Sequence, residues 1–153
     1  MKKAQLTGVA ALVVLGVAGC GGGSSNKTLS YSDFGTQASA ICKAENPKVK
    51  AASAGITGQA TTDAPVYDKL IPALESATGK LEALKPPDKL KSTFDQVKAL
   101  DAQQIAGAKK AQAQAKAGDQ AGYVATLKSL QPISQQSDLL ASKLGAAGCI
   151  GNG

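Results

Sequence analysis

Apolar side chains recur at intervals of three and four residues in four separate stretches of the chain, and no long stretch alternates singly. That spacing lines one face of an α-helix, whereas a strand needs a period of two. The first stretch opens with Ser32 as its cap and Asp33 placed against the helix dipole. It sets Phe34, Ala38, Ile41, Cys42 and Glu45 on one side. Asn46-Pro47 either ends this helix or starts a continuation, since proline suits a first turn. The pattern fades by Gly55, and residues 56–62, ITGQATT, read as a loop. A second helix opens near Asp63-Ala64-Pro65. Its stripe Tyr67, Leu70, Leu74, Ala77, Leu81, Leu84 steps by three, four, three, four and three, the regularity of a bundle seam.

Lys85-Pro86-Pro87 stops that helix, because residues before proline avoid helical angles, and Pro87-Asp88 opens the third. The third carries Leu90, Phe94, Val97 and Leu100, then Gln104, Ala108, Ala111 and Ala115, so its second half offers only a thin apolar face. Gly118-Asp119 ends it and caps a fourth helix. There the stripe is Tyr123, Leu127, Leu130, Ile133, Ser137, Leu140 and Leu144, with Gly145 as terminator. Pro72 and Pro132 fall inside the second and fourth helices, where each frees an upstream carbonyl and favours a bend. Four amphipathic helices with short connections predict an all-α fold, an antiparallel four-helix bundle over residues 32–145 with a tail at 146–153.

Ahead of the bundle the pattern changes. Lys2 and Lys3 precede a mostly apolar run from Ala4 to Ala18, broken only by Gln5 and Thr7. It is too short for the ~20 residues that span a bilayer, and its charged start and small-residue end suit a secretory signal peptide. Val17-Ala18-Gly19-Cys20 resembles the lipobox of bacterial lipoproteins. The resemblance implies signal-peptidase recognition of Val17, Ala18 and Gly19, removal of residues 1–19 and a diacylglyceryl group on Cys20. Residues 20–31, led by Gly21-Gly22-Gly23-Ser24-Ser25, then form a flexible tether. The expected location is the outer face of a bacterial cell membrane, with membrane lipid as partner through acylated Cys20.

Composition narrows the chemistry. The chain has no His and no Trp, every basic residue is a lysine, and its single Met is Met1. Absent imidazole removes the commonest metal ligand and the base poised near neutral pH. Haem-binding and di-iron bundles are excluded on the same ground. We therefore expect no metal, no cofactor and no enzyme. The formal charge of +6 is spread over scattered lysines with few aromatics between them, which argues against nucleic acid. With Cys20 assigned to lipid, Cys42 and Cys149 remain as an even pair in an exported chain, and a disulfide is the default. Closing a loop of about a hundred residues contributes roughly 4–5 kcal/mol in the chain-entropy model. The bridge would staple the tail to the first helix and leave Ile150–Gly153 frayed.

Few residues suggest a reaction. Ser24-Ser25-Asn26-Lys27 fits the S-x-x-K nucleophile motif but lies in the tether without its partner motifs. Glu75 and Glu82 read as ordinary solvated acids, and Tyr67 and Tyr123 as core-edge residues. Gln104 and Ser137 interrupt apolar stripes. They either line a small polar ligand pocket between the third and fourth helices or satisfy a carbonyl freed by Pro132. The order Ala38-Ser39-Ala40-Ile41-Cys42, then Leu84-Lys85-Pro86-Pro87, then Leu144-Gly145 through Cys149 resembles small helical lipoproteins of high-GC Gram-positive bacteria, a group that brings no activity with it. Two functions are consistent with this reading. One is a non-enzymatic envelope module that binds or scaffolds an envelope protein partner. The other is a carrier or sensor of a small apolar ligand held inside the bundle. An enclosed pocket of a few hundred Å³ between kinked helices would favour the carrier; a filled core with an exposed apolar patch would favour the scaffold.

Overall fold

The computed structural model describes residues 28–151. The lipobox residues Val17, Ala18, Gly19 and Cys20 and the glycine tether lie outside them. The described chain is helical throughout: α1 (Tyr31–Ser53), a one-turn α2 (Ala60–Asp63), α3 (Tyr67–Glu82), α4 (Asp88–Ala117) and α5 (Gln120–Lys143). Single 3₁₀ turns occupy Ala64–Val66 and Ala147–Cys149. The four long helices form the antiparallel bundle that the stripes predict, with α1 packed on α3, α3 on α4 and α4 on α5.

Local chemistry sets the ends. α1 starts one residue before the expected cap, because Ser30 rather than Ser32 fills that role. Ser30 Oγ accepts the Asp33 backbone N–H at 3.1 Å and donates to Asp33 Oδ2 at 2.6 Å. A cap side chain reaches an amide two or three positions ahead, as Ser30 does, and Ser32 makes no such bond. Leu29 already packs on the core, so ordered contact begins inside the segment assigned to the tether. α1 then runs unbroken through Pro47, and Asn46 is no cap: its Nδ2 donates to the Gly148 carbonyl at 3.4 Å. Gly118 closes α4 with φ +70°, and Asp119 caps α5 by accepting the Gly122 N–H at 2.9 Å.

The core is in two parts. At one end Tyr67 and Tyr123 meet edge to face, 6.2 Å between centroids, among Ala60, Leu70, Ile71, Ala108, Ala111 and Ala115. At the other, Phe34 and Phe94 meet edge to face at 5.2 Å among Ala38, Leu90, Ala141, Leu144 and Ala146. The chain has only two Phe and three Tyr, so four of its five aromatic rings are committed to the two ends.

Each end has its own polar or covalent fastening. Asp63, expected near the opening of the second helix, has a fully buried side chain. It accepts the Thr57 N–H at 2.9 Å, the Thr57 hydroxyl at 2.7 Å, the Gly58 N–H at 2.8 Å and the Tyr123 hydroxyl at 2.7 Å. Tyr67 in turn donates to the Tyr123 hydroxyl at 3.1 Å. Burial alone would raise the Asp63 carboxyl, but these donors outweigh it and hold it at about 2. The residues 56–62 that read as a loop are thereby wound partly into α2 and locked to α5. Gln120 adds to the lock, accepting the Ala60 N–H and donating to the Gly58 carbonyl, both at 2.8 Å.

At the opposite end, Gly145 takes φ +70° and turns the tail back over α1. Cys149 then bonds Cys42 across 107 residues, with a Cα–Cα separation of 5.0 Å. α1 and the tail approach so closely that a Cβ on Gly35 would lie 2.7 Å from the Gly145 carbonyl oxygen.

Three outcomes follow from these fastenings. Asp63→Ala strands several buried donors and should lower the unfolding free energy by about 3 kcal/mol in urea titration. Because the folded Asp63 pKa lies below its unfolded value, its contribution is present above about pH 4 and is lost as pH falls towards 2. Wild type and variant should therefore converge in stability across that window. Reducing Cys42–Cys149, or replacing both with Ser, should remove about 2–4 kcal/mol. Gly35→Ala should lower Tm through its backbone clash, whereas Gly79→Ala, in open space on α3, should raise it by the helix propensity of about 0.5–1 kcal/mol.

Candidate functional site

Between the two aromatic ends the bundle does not fill. A cavity of about 140 Å³, partly open to solvent, lies on its axis and is lined by all four long helices. Its walls are mostly apolar: Phe34, Ala38 and Val49 of α1, Leu74, Ala77 and Leu81 of α3, Phe94 and Val97 of α4, and Ala141 of α5. The disulfide closes one side through Cys42 and Cys149. Cavities of about 150 Å³ lined by Leu, Ile and Phe are large enough to take benzene.

Proline placement accompanies the gap. Pro47, Pro72 and Pro132 each lie inside a helix, and each is within two residues of a lining residue, Asn46 and Val49, Leu74, and Ser134 respectively. A mid-helix proline removes one N–H and pushes its ring against the preceding turn. All three interruptions thus lie next to the cavity lining along their helices.

Polar groups enter the cavity from two helices in particular. Asp101 and Gln104 come from α4, and Ser134, Ser137 and Asp138 from α5. Gln104 and Ser137, singled out as breaks in their stripes, are brought together: Gln104 Nε2 donates to Ser137 Oγ at 3.3 Å, and both line the cavity. Asp138 accepts the Gly151 N–H at 3.1 Å and so ties the tail to the rim. Asp101 differs from these. Among the described residues its carboxyl has no hydrogen-bond or ion-pair partner, and its oxygens keep contact with solvent. Burial, and secondarily the charge of Glu82, push its pKa up to about 6.

Asp101 is the residue that the sequence pattern conceals. The inward positions of α4 are Leu90, Phe94, Val97, Asp101, Gln104, Ala108, Ala111 and Ala115, stepping alternately by four and three. Leu100 beside it is apolar and buried, and so completes a plausible stripe without the aspartate. A strict alternation of four and three would have flagged an acid on the seam. Glu45, expected on the buried face of α1, is indeed buried, and its Oε1 receives Lys80 at 2.6 Å and Lys48 at 2.7 Å. Those hydrogen bonds hold its carboxyl below the usual range. Glu75 pairs with Lys109 at 2.8 Å on the surface.

Comparison of the chain with protein-family models, with curated proteins and with solved structures finds no match. The cavity is thus interpreted from its own chemistry.

An acid whose pKa rises on folding destabilises the fold as it ionises. Asp101→Asn should therefore leave stability unchanged below about pH 4 and raise it progressively between pH 4 and about 6. Above pH 6 the gain should level off at about 1–2 kcal/mol, measured by urea unfolding across the pH range.

Proposed function

We propose that this chain is a membrane-anchored bacterial lipoprotein whose helical body holds a small ligand, as a non-enzymatic carrier or sensor outside the cell membrane. The cavity carries the ligand half of this reading. It is bounded by four helices, mainly apolar, and furnished with a few convergent polar groups, the combination that small-molecule sites share. The anchor half rests on the lipobox and on Cys20. No helix among the described residues is long and apolar enough to cross a membrane. The large apolar side chains exposed among the described residues are Tyr31, Leu139 and Ile150. Three side chains make a small area for a scaffold contact, and this weighs towards an interior ligand.

Two measurements separate the halves. Cells fed a radiolabelled fatty acid should label wild type and not Cys20→Ser, which should also leave the membrane fraction; equal labelling would remove the anchor. Toluene, titrated against methyl-labelled protein by NMR, should shift Leu74, Leu81 and Ala141 resonances with a submillimolar to millimolar Kd. Ala141→Phe, which fills the cavity, should abolish the shifts while keeping the helical spectrum. If neither toluene nor its amine counterpart benzylammonium shifts wild type, the interior carrier is wrong and the envelope scaffold stands in its place.

A further inference from the structure

The ligand class can be narrowed beyond an apolar body, on the footing of the carrier reading. Five lysines of the folded body are paired with acids outside the cavity lining. Lys48 and Lys80 bind Glu45, Lys98 binds Asp95, Lys109 binds Glu75 and Lys116 approaches Asp68. No lysine lines the cavity, whereas two aspartates do. Asp138 already accepts the tail N–H of Gly151. Asp101 accepts nothing, and it stands two helical turns along α4 from Phe94 and three residues from Gln104. In a chain of net charge +6, the wall of this cavity thus carries an unpaired acid and no lysine. An uncompensated acid in an apolar wall costs stability unless something neutralises it.

We propose that the cavity binds a compact organic ammonium ion, its charge on the Asp101 carboxylate and its apolar body between Phe94, Leu74 and Leu81. The ammonium group donates up to three hydrogen bonds. Asp101 takes one, and the Gln104 carbonyl oxygen and the Ser137 hydroxyl can accept others once the Gln104–Ser137 contact at 3.3 Å reorients. Charge-assisted contacts of this kind are about twice as strong as neutral ones. The volume limits the apolar part to about one six-membered ring.

The ionisable groups around Asp101 set the pH response. Glu82 of α3 and Asp138 of α5 are the carboxylates that face it from neighbouring helices, and α1 presents Asn46 and the oxidised Cys42, which do not titrate. Since Asp101 titrates near 6, ammonium affinity rises as pH passes upward through that value.

The test compares three ligands of nearly equal shape, benzylammonium, toluene and benzoate, by NMR titration of the full folded chain. Benzylammonium should bind at least tenfold more tightly than toluene at pH 7.5, and benzoate should not bind. Lowering the pH to 5 should weaken benzylammonium severalfold and leave toluene unchanged. Asp101→Asn, which should fold and be more stable, should bring benzylammonium down to the toluene affinity. Toluene binding as well as benzylammonium, or a benzylammonium affinity indifferent to Asp101→Asn, would overturn the cation proposal while leaving the carrier intact. Failure of all three ligands to bind would take the carrier reading down with it.

Discussion

Four helices can close on one another only as far as their side chains fill the space between them, and this chain has little with which to fill it. Its stripes are rich in alanine, and four of its five aromatic rings pair at the two ends of the bundle. Interiors tolerate few voids larger than a water molecule because unfilled space forfeits dispersion contacts on every side. Filling two ends with large rings and leaving small and polar residues between them therefore makes an opening at the middle. The cavity, its polar lining and the prolines beside it all lie within that constraint.

An opening in a small domain has to be held by its surroundings. The Asp63 network does this at one end by joining α2, α5 and the start of α3 through one buried carboxylate with six donor contacts. The disulfide does it at the other by linking α1 to the tail. The two are independent in chemistry: one fails in acid, the other under reduction. Each lies next to one aromatic pair, and the disulfide, with Phe34 and Phe94, also forms part of the cavity wall. Asp101 works against stability where Asp63 works for it. The same side chain is costly in one wall and stabilising in the other because donors surround only Asp63.

Much of the fold was legible along the chain. The stripe from Tyr67 to Leu84, the Pro86-Pro87 junction, the Gly118-Asp119 stop and start, and Gly145 as terminator all correspond to observed features. They are local: each depends on backbone angles or on the periodicity of one segment. The Cys42–Cys149 bridge was legible for a different reason, because two cysteines allow one pairing. Misplaced features were those in which two local solutions competed. Ser30 and Ser32 both offer a cap, and Ser30 takes the Asp33 amide. Residues 56–62 look like a loop from composition, yet a carboxylate further along the chain gathers their amides.

For the candidate site, sequence reasoning reached Gln104 and Ser137 as polar interruptions but could not say that they would meet, nor that Asp101 would share their space. Periodicity determines which face of a helix turns inward, since that is a property of one helix and its 3.6-residue turn. It does not determine how much room remains once four such faces converge, because that volume depends on the summed sizes of side chains drawn from distant parts of the chain. The helices, their ends and the disulfide pair were thus set in the order of the residues. The burial of Asp63 among its donors, the isolation of Asp101 and the existence of a cavity were decided only when those helices packed.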